Sequence, residues 1–214
     1  MKNRLLGYYD YTVILTYTGA IFAVAGIFFS MKQAFTNAVI CLMLAGVCDM
    51  FDGAVASTKE RNAGEKRFGI QIDSLSDLIS FGILPAIFTY CFVGKEGFRT
   101  SIICAAYILC ALIRLAFFNV LEEERQEETD EKRKSYLGLP VTTVAVLLPA
   151  AYILHYYGFS REKAVFPILL VISAALFLIR FELKKPRALG KVILVTVGVL
   201  ELVGLILLIG VDPV

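Results

Sequence analysis

Four aspartates stand close together in the stretch CDMFDGAVASTKERNAGEKRFGIQIDSLSDLISFG, although the chain is 58% hydrophobic. They are four of the seven aspartates in 214 residues: Asp49, Asp52, Asp73 and Asp77. On a helix, the first two share one face with Gly53 and Ala56, at i, i+3, i+4 and i+7. The other two follow Gly69 at i+4 and i+8, again on one face. Two facing helix ends would therefore present four carboxylates to a common space.

Four carboxylates in one space repel one another unless cations lie among them. Ligands that offer only oxygen, without histidine or cysteine, favour hard divalent ions such as Mg²⁺, Mn²⁺ or Ca²⁺ over zinc. The usual partner of such a metal is a di- or triphosphate. The small residues at positions 53, 56 and 69 would let a bulky group approach the backbone. The alternative is that the aspartates only solvate a helix–loop–helix at a membrane surface.

The elements that must position these residues are membrane helices. The mean hydropathy is +0.73, and apolar runs of about twenty residues recur along the chain, each long enough to cross about 30 Å of hydrocarbon. We therefore predict an all-α integral membrane protein, a polytopic bundle of seven transmembrane helices with an uncertainty of one. The predicted spans are 11–30, 34–56, 70–93, 98–121, 139–157, 163–181 and 190–210. The chain is expected to be a single membrane domain, 1–214, whose first helix is retained.

The distribution of basic residues predicts the orientation of the bundle. With the N-terminus inside, sixteen Lys and Arg residues fall on the cytoplasmic side and five on the outer side. Cytoplasmic loops retain positive charge, so the aspartates are expected at the cytoplasmic ends of the second and third helices of a multi-pass plasma membrane protein. The polar run EEERQEETDEKRK, 122–134, is predicted to be a solvated cytoplasmic loop, with a cover over the active site as the alternative.

Several other polar groups have simpler interpretations. The five cysteines lie in apolar runs without a CxxC pair, so no disulfide framework is expected. Glu201 and His155 are single ionisable residues within predicted spans, and we expect each to have a satisfied structural role or a place at a dimer interface. Arg114 and Asn119, in IRLAFFN, are expected at the cytoplasmic end of the fourth helix, level with the aspartates.

The stretch DMFDGAVA…GIQIDSLSD resembles the signature of the CDP-alcohol phosphotransferases, D-x2-D-G-x2-A, a short loop, then G-x3-D-x3-D. All the residues that this pattern specifies are present. The loop departs from it, because Ser57 stands where an arginine usually follows the alanine, and the loop is about three residues longer. Either Lys59 or Arg61 is a candidate to replace that arginine.

Further stretches resemble the phosphatidylserine synthase branch of that family. They are LSDLISFGILPA, ALIRLAFFN and YLGLPVT, with Phe117 in place of a second arginine and Thr142 in place of a second proline. The resemblance implies transfer of a phosphatidyl or archaetidyl group from a CDP-activated lipid to the hydroxyl of L-serine, with release of CMP. It also implies two Mg²⁺ or Mn²⁺ ions, with Ca²⁺ as a further option.

The resemblance and the chemistry together predict a role for each residue. The metal ligands are Asp49, Asp52, Asp73 and Asp77, and Asp77 is also the general base. The nucleotide-binding residues are Asp49, Asp52, Gly53, Ala56 and Gly69. The serine-binding residues are Arg114, whose forked guanidinium suits a carboxylate, with Asn119 and Gly138. The alternative for Arg114 is an interfacial arginine that snorkels.

Two other functions stay open at this point. The same chemistry could serve another alcohol such as inositol phosphate or glycerol phosphate, although Phe117 in place of an arginine disfavours a phosphorylated acceptor. A cation transporter would place its carboxylates near the bilayer midplane, not at helix ends. The expected partners are a CDP-lipid, L-serine, membrane lipids and a second copy of the chain in a homodimer; no nucleic-acid partner is expected.

Overall fold

The computed structural model describes residues 6–94, 98–128, 135–158, 162–184 and 188–208. These residues are predominantly α-helical, as the hydropathy predicts. The helices are α1 (Ile14–Met31), α2 (Phe35–Ala56), α3 (Ala63–Asp77), α4 (Leu84–Val93), α5 (Phe98–Glu128), α6 (Val144–Tyr156), α7 (Val165–Leu178) and α8 (Ala188–Leu208). A π-helical turn, Leu78–Ile83, joins α3 to α4, so that Ala63–Val93 forms one continuous helical segment.

Helices lie in all seven predicted spans, and the prediction of an all-α membrane bundle is confirmed. Among the residues that the structure describes, four helices are long and apolar enough to cross a membrane: Tyr11–Met31, Phe35–Ala56, Ala63–Val93 and Phe98–Arg125. Three shorter apolar helices follow within the described residues: Val141–Tyr156, Val165–Leu178 and Ile193–Leu208. Short 3₁₀ turns, Tyr11–Val13 and Val141–Thr143, precede α1 and α6.

Two predicted boundaries are wrong. The third helix begins at Ala63 and not at residue 70, because Asn62 and Glu65 form a capping box. In this box, Asn62 Oδ1 accepts from Glu65 N at 2.8 Å, and Glu65 Oε2 accepts from Asn62 N at 2.9 Å.

The predicted loop 122–134 is helical at its start, because α5 continues to Glu128. An ion pair of 2.5 Å between Glu122 and Arg125, one turn apart, supports that extension. Residues 129–134 lie outside the described part.

A close approach of α1 to α2 and α4 sets the position of the aspartate-bearing helix. At Gly26 of α1, an added Cβ would lie 2.9 Å from Leu84 Cδ2 and 3.0 Å from Cys41 Cβ. Any side chain there would force the helices apart, so glycine permits the packing. The buried core continues through an aromatic cluster of α4, α6 and α7 that includes Phe88, Tyr152 and Phe166.

The π-helical turn after Asp77 has a local cause in the sequence. Pro85 has no backbone N–H, so it cannot donate to the carbonyl of Phe81 four residues earlier. The hydroxyl of the fully buried Tyr107, on α5, donates to that carbonyl at 2.6 Å instead. One side chain of α5 thus satisfies the backbone group that the proline leaves free, and it fixes α5 against the helix that carries Asp73 and Asp77.

A two-stranded antiparallel ribbon follows α5 and α7. It pairs β1 (Ser135–Leu137) with β2 (Glu182–Lys184). Gly138, with φ +67°, turns the chain after β1, and its N–H donates to Phe181 O at 2.7 Å. An added Cβ at Gly138 would lie 2.8 Å from Ile179 O, so the turn needs glycine both for its conformation and for space. This turn brings the segment after α5 against the C-terminal end of α7.

Glu201 and His155 each have a buried polar atom without a described partner. Glu201 is only 7% exposed within the single chain. Its Oε2 atom and the Nδ1 atom of His155 are buried and have no hydrogen-bond partner among the described residues. The expectation of a satisfied structural role or a place at a dimer interface therefore stays a prediction for both residues.

Candidate active site and metal centre

Three carboxylates meet where the C-terminal half of α2 faces α3. One oxygen from each of Asp49, Asp52 and Asp73 lies within 4.8 Å of the other two. Oxygen ligands stand about 2.0–2.6 Å from Mg²⁺ or Ca²⁺, so two ligands of one ion are at most about 5 Å apart. The spacing and the all-oxygen donor set therefore fit a hard divalent cation. We call Asp49, Asp52 and Asp73 the aspartate triad.

The fourth aspartate lies beside the triad. The side chain of Asp77 interacts directly with that of Asp49, and Asp73 interacts in the same way with Asp52. Asp77 does not belong to the set of oxygens within 4.8 Å. It lines a small cavity together with Thr16, Asp49, Asp52 and Ser76. The structure thus brings together the four carboxylates whose helical spacing predicted a common space.

The hydroxyl of Thr16, on α1, belongs to the same site. Thr16 Oγ1 donates to Asp52 Oδ2 at 3.3 Å, and the Thr16 carbonyl accepts from Ser76 Oγ at 3.2 Å. Both side chains are buried, so these contacts fix α1 against the two helices that carry the aspartates. Thr16 is not among the site residues predicted from the sequence, where the one available signal was a polar residue inside an apolar span.

The two motif glycines have different surroundings. An added Cβ at Gly53 would meet no atom within 4 Å, so this face of α2 opens onto free space. An added Cβ at Gly69 would lie 2.8 Å from Nη1 of Arg61, whose guanidinium covers that glycine. Arg61 also acts electrostatically on Asp73. The triad therefore has open space on one side and a cation on another.

Comparison with known proteins gives the family. The model for CDP-alcohol phosphatidyltransferases matches residues 12–197. The chain belongs to the CDP-alcohol phosphatidyltransferase family. The resemblance found in the sequence motif is thereby confirmed.

Curated relatives of this chain include proteins named as serine phosphatidyltransferases. The chain is 31% identical over 188 residues to the CDP-diacylglycerol–serine O-phosphatidyltransferase of Saccharomyces cerevisiae, covering 80% of this chain and 62% of the yeast protein. The protein of that name from Helicobacter pylori J99 is 27% identical over 160 residues, covering 72% and 64%. The archaetidylserine synthase of Methanothermobacter thermautotrophicus is 33% identical over 132 residues, covering 62% and 53%. The chain spans less than two thirds of each relative's length.

The two basic candidates in the α2–α3 loop of this family member are not equivalent. Lys59 Nζ lies 2.6 Å from Asp10 Oδ2 and 3.1 Å from Glu65 Oε1. The hydrogen bond from Lys59 lowers the pKa of the Asp10 carboxyl to about 2, and this pairing raises the pKa of Lys59. The stabilisation from Asp10 is therefore present at neutral pH and is lost as pH falls through about 2. Arg61, which points to Gly69, is the candidate that lies beside the triad.

The structure brings Arg114 and Gly138 together. Arg114 Nη1 donates to Leu137 O at 2.9 Å and to Phe177 O at 3.3 Å, and the guanidinium carbon lies 4.4 Å from the centroid of the Phe118 ring. An added Cβ at Gly138 would be 3.1 Å from the same Nη1 atom. Arg114 is 6% exposed, which contradicts a snorkelling side chain. Its Nε and Nη2 atoms form no hydrogen bond with the described residues.

Asn119 lies in a different group of contacts, between α3 and α5. Its Oδ1 accepts from the hydroxyl of Ser74, and its Nδ2 donates to Gln71 Oε1 at 3.3 Å. Gln71 in turn donates to Glu123 Oε1 at 3.1 Å. Asn119 thus contacts the residue that follows Asp73, whereas Arg114 contacts the end of α7. The sequence placed both side chains at one level, and the structure gives them separate partners.

Proposed function

We propose that this protein transfers a phosphatidyl or archaetidyl group from a CDP-activated lipid to the hydroxyl of L-serine and releases CMP. The observation that carries the proposal is the aspartate triad, with Asp77 beside it, in a chain of this family. The names of the relatives support serine as the acceptor. The serine reaction itself is a proposal for this chain, which aligns with only part of each relative.

The aspartate triad would hold one divalent ion, and Asp77 would complete a site for a second. Mg²⁺ and Mn²⁺ both suit an all-carboxylate donor set. Bound ions of this kind neutralise a diphosphate, stabilise the leaving CMP and make the attacked phosphorus more electrophilic. Thr16 would support this arrangement, because its hydroxyl restricts the orientation of the Asp52 carboxylate.

Asp77 is the proposed general base. In the reaction, a bond forms between the serine hydroxyl oxygen and the lipid-side phosphorus, and the bond from that phosphorus to the CMP oxygen breaks. The hydroxyl proton passes to the Asp77 carboxylate, and CMP leaves as a phosphate monoester. Asp77 suits this role because it lines the cavity while lying outside the triad, so a carboxylate oxygen is available for the proton.

The open face of α2 is the proposed nucleotide site. Gly53 leaves free space there, and Ala56 continues the same helix face one turn later. Asp49 and Asp52 would meet the nucleotide through its diphosphate. A cytidine nucleotide could then pack against the backbone of α2 at Gly53, where any longer side chain would fill the space. On the α3 side, it would meet Gly69 through the Arg61 guanidinium that covers this glycine.

Arg114 is the proposed ligand for the serine carboxylate. Its Nη1 atom is engaged by backbone carbonyls, which fixes the plane of the guanidinium. The Nε and Nη2 groups have no partner among the described residues and could bind a carboxylate in a bidentate manner. Gly138 would permit close approach to the guanidinium, and Asn119 would border the acceptor site from the α3 side.

The remaining proposals concern the assembly and its location. We propose a single membrane domain over residues 1–214, which the family match over 12–197 supports. We also propose a plasma membrane protein with its active site facing the cytoplasm, on the basis of the sixteen-to-five distribution of basic residues. Assembly as a homodimer rests on the family resemblance alone.

A panel of acceptors tests the proposed function. The purified protein is given CDP-diacylglycerol or its isoprenoid-ether counterpart with Mg²⁺ or Mn²⁺, and CMP release is measured with L-serine, inositol phosphate and glycerol phosphate. We expect serine alone to support release and EDTA to abolish it. Release with a phosphorylated alcohol but not with serine would show that the acceptor is that alcohol and not serine. Full activity in EDTA would contradict the metal site.

A further inference from the structure

A cluster of mixed charge, away from the aspartate triad, ties the N-terminal segment to the α2–α3 loop. Lys59 Nζ contacts Asp10 at 2.6 Å and Glu65 at 3.1 Å. Beside this cluster, Tyr11 Oη and Thr58 Oγ1 lie 3.1 Å apart. The loop is therefore attached to the N-terminal segment by two neighbouring contacts, and to the first turn of α3 by a third.

Arg61 lies inside the segment that these contacts hold. On one side of it, Lys59 is bound to Asp10 and Glu65; on the other side, Asn62 is bound to Glu65 in the capping box. Between these points, the Arg61 guanidinium covers Gly69 and acts on Asp73. A long arginine on an unrestrained loop would lose considerable rotamer freedom on binding an anion, and a fixed loop reduces that cost.

We propose that Asp10 is a positioning residue for binding of the CDP-lipid. Through Lys59, it holds the loop so that the Arg61 guanidinium stands beside the triad and binds an oxygen of the donor's diphosphate. Asp10 itself touches no substrate. Because the guanidinium meets the donor, loss of Asp10 weakens binding of the CDP-lipid and leaves binding of serine unchanged. This inference rests on the proposed function.

Limited proteolysis tests the holding role without reference to activity. The full chain in lipid nanodiscs is treated with trypsin, and cleavage after Arg61 is followed by mass spectrometry. Asp10→Asn removes the charge but keeps a good N-cap for the turn at Tyr11–Val13, so it isolates the ion pair. We expect cleavage to be about 2- to 5-fold faster in Asp10→Asn and in Lys59→Met, the range expected for a partly exposed pair. Glu162→Gln, which removes an exposed negative charge between α6 and α7 and leaves the residues around the scissile bond unchanged, should cleave at the wild-type rate.

Steady-state kinetics then tests the positioning role. The apparent KM for CDP-lipid should rise about 2- to 5-fold in Asp10→Asn, with kcat and the serine KM unchanged, and the double variant with Lys59→Met should be no worse than either single one. A wild-type cleavage rate, or an equal rise in both KM values, would overturn the inference. If the wild-type protein releases no CMP with serine, the proposed function fails, and the proteolysis still decides whether Asp10 holds the loop.

Discussion

Single residues at the site divide into those that the fold needs and those that leave space. Gly53 belongs to the second group, because an added Cβ there meets no atom within 4 Å. Arg114 has a part in both the fold and the site. Its Nη1 atom donates to backbone carbonyls, and its other nitrogens have no partner among the described residues and are available to a substrate. These two positions allow substrate binding to be separated from folding.

Gly53→Ala should impair donor binding without harming the fold. Alanine in a helix interior is about 0.5–1 kcal/mol more favourable than glycine, so the thermal stability should be equal to or above that of the wild type. The apparent KM for CDP-lipid should rise on the order of 10-fold, which corresponds to about 1.4 kcal/mol of lost binding. Gly198→Ala is the matched control, since its Cβ also meets nothing within 4 Å. A wild-type KM in Gly53→Ala would place the nucleotide elsewhere.

Arg114→Ala should raise the apparent KM for serine by about 10- to 100-fold, because a charge-assisted hydrogen bond worth about 1.5–3 kcal/mol is lost. The KM for CDP-lipid should barely change. Thermal stability should also fall, since the carbonyls of Leu137 and Phe177 lose their donor. Arg180→Ala, which removes an exposed arginine stacked on Phe117, should leave the serine KM unchanged. Lower stability with an unchanged serine KM would show that Arg114 is structural only.

At this scale, the sequence predicted the carboxylates better than their neighbours. The aspartates share helix faces, and helical spacing alone brings such residues together. Thr16 and Arg61 could not be predicted in the same way, because their contacts with Asp52 and Gly69 depend on tertiary packing and on the path of a loop. The same limit applies to Arg114, whose backbone partners come from β1 and α7.

Among the elements, the start of α3 decides where Gly69, Asp73 and Asp77 stand. The capping box at Asn62 fixes this start, about two turns before Gly69. Hydropathy could not locate it, because the first turns of α3 are polar, whereas an N-x-x-E pattern was present in the sequence. Pro85 is a local signal for the π-helical turn, but the hydroxyl that Tyr107 supplies to Phe81 depends on tertiary packing and could not be predicted.

Asn62→Ala should destabilise the protein by about 1 kcal/mol, the usual cost of losing an N-cap side chain. The midpoint of unfolding in a graded denaturant should shift accordingly, and kcat/KM for CDP-lipid should fall because the loop beside Gly69 loses an attachment. Asn62→Asp keeps an oxygen that can cap the helix, and it should behave as the wild type. Equal midpoints for the two variants would show that the capping box does not set the start of α3.

For the whole molecule, the distribution of charge predicts which side of the membrane holds the site. In a background without the native cysteines, Ser57→Cys in the α2–α3 loop should resist a membrane-impermeant thiol reagent added to intact cells. Glu162→Cys, between α6 and α7, should react, since it is exposed and predicted to lie on the outer side. Lysed cells provide the control for reactivity. Ready labelling at residue 57 from outside would reverse the proposed orientation.

The central claim is that the serine hydroxyl attacks the lipid-side phosphorus of a CDP-lipid at the aspartate triad. L-serine labelled with ¹⁸O in its hydroxyl, given with CDP-lipid and Mg²⁺ or Mn²⁺, reports directly on the bond that forms. Mass spectrometry should find one ¹⁸O in each serine phospholipid and none in CMP, and Asp73→Asn should form neither product. Label in CMP, or a serine phospholipid without label, would contradict the account.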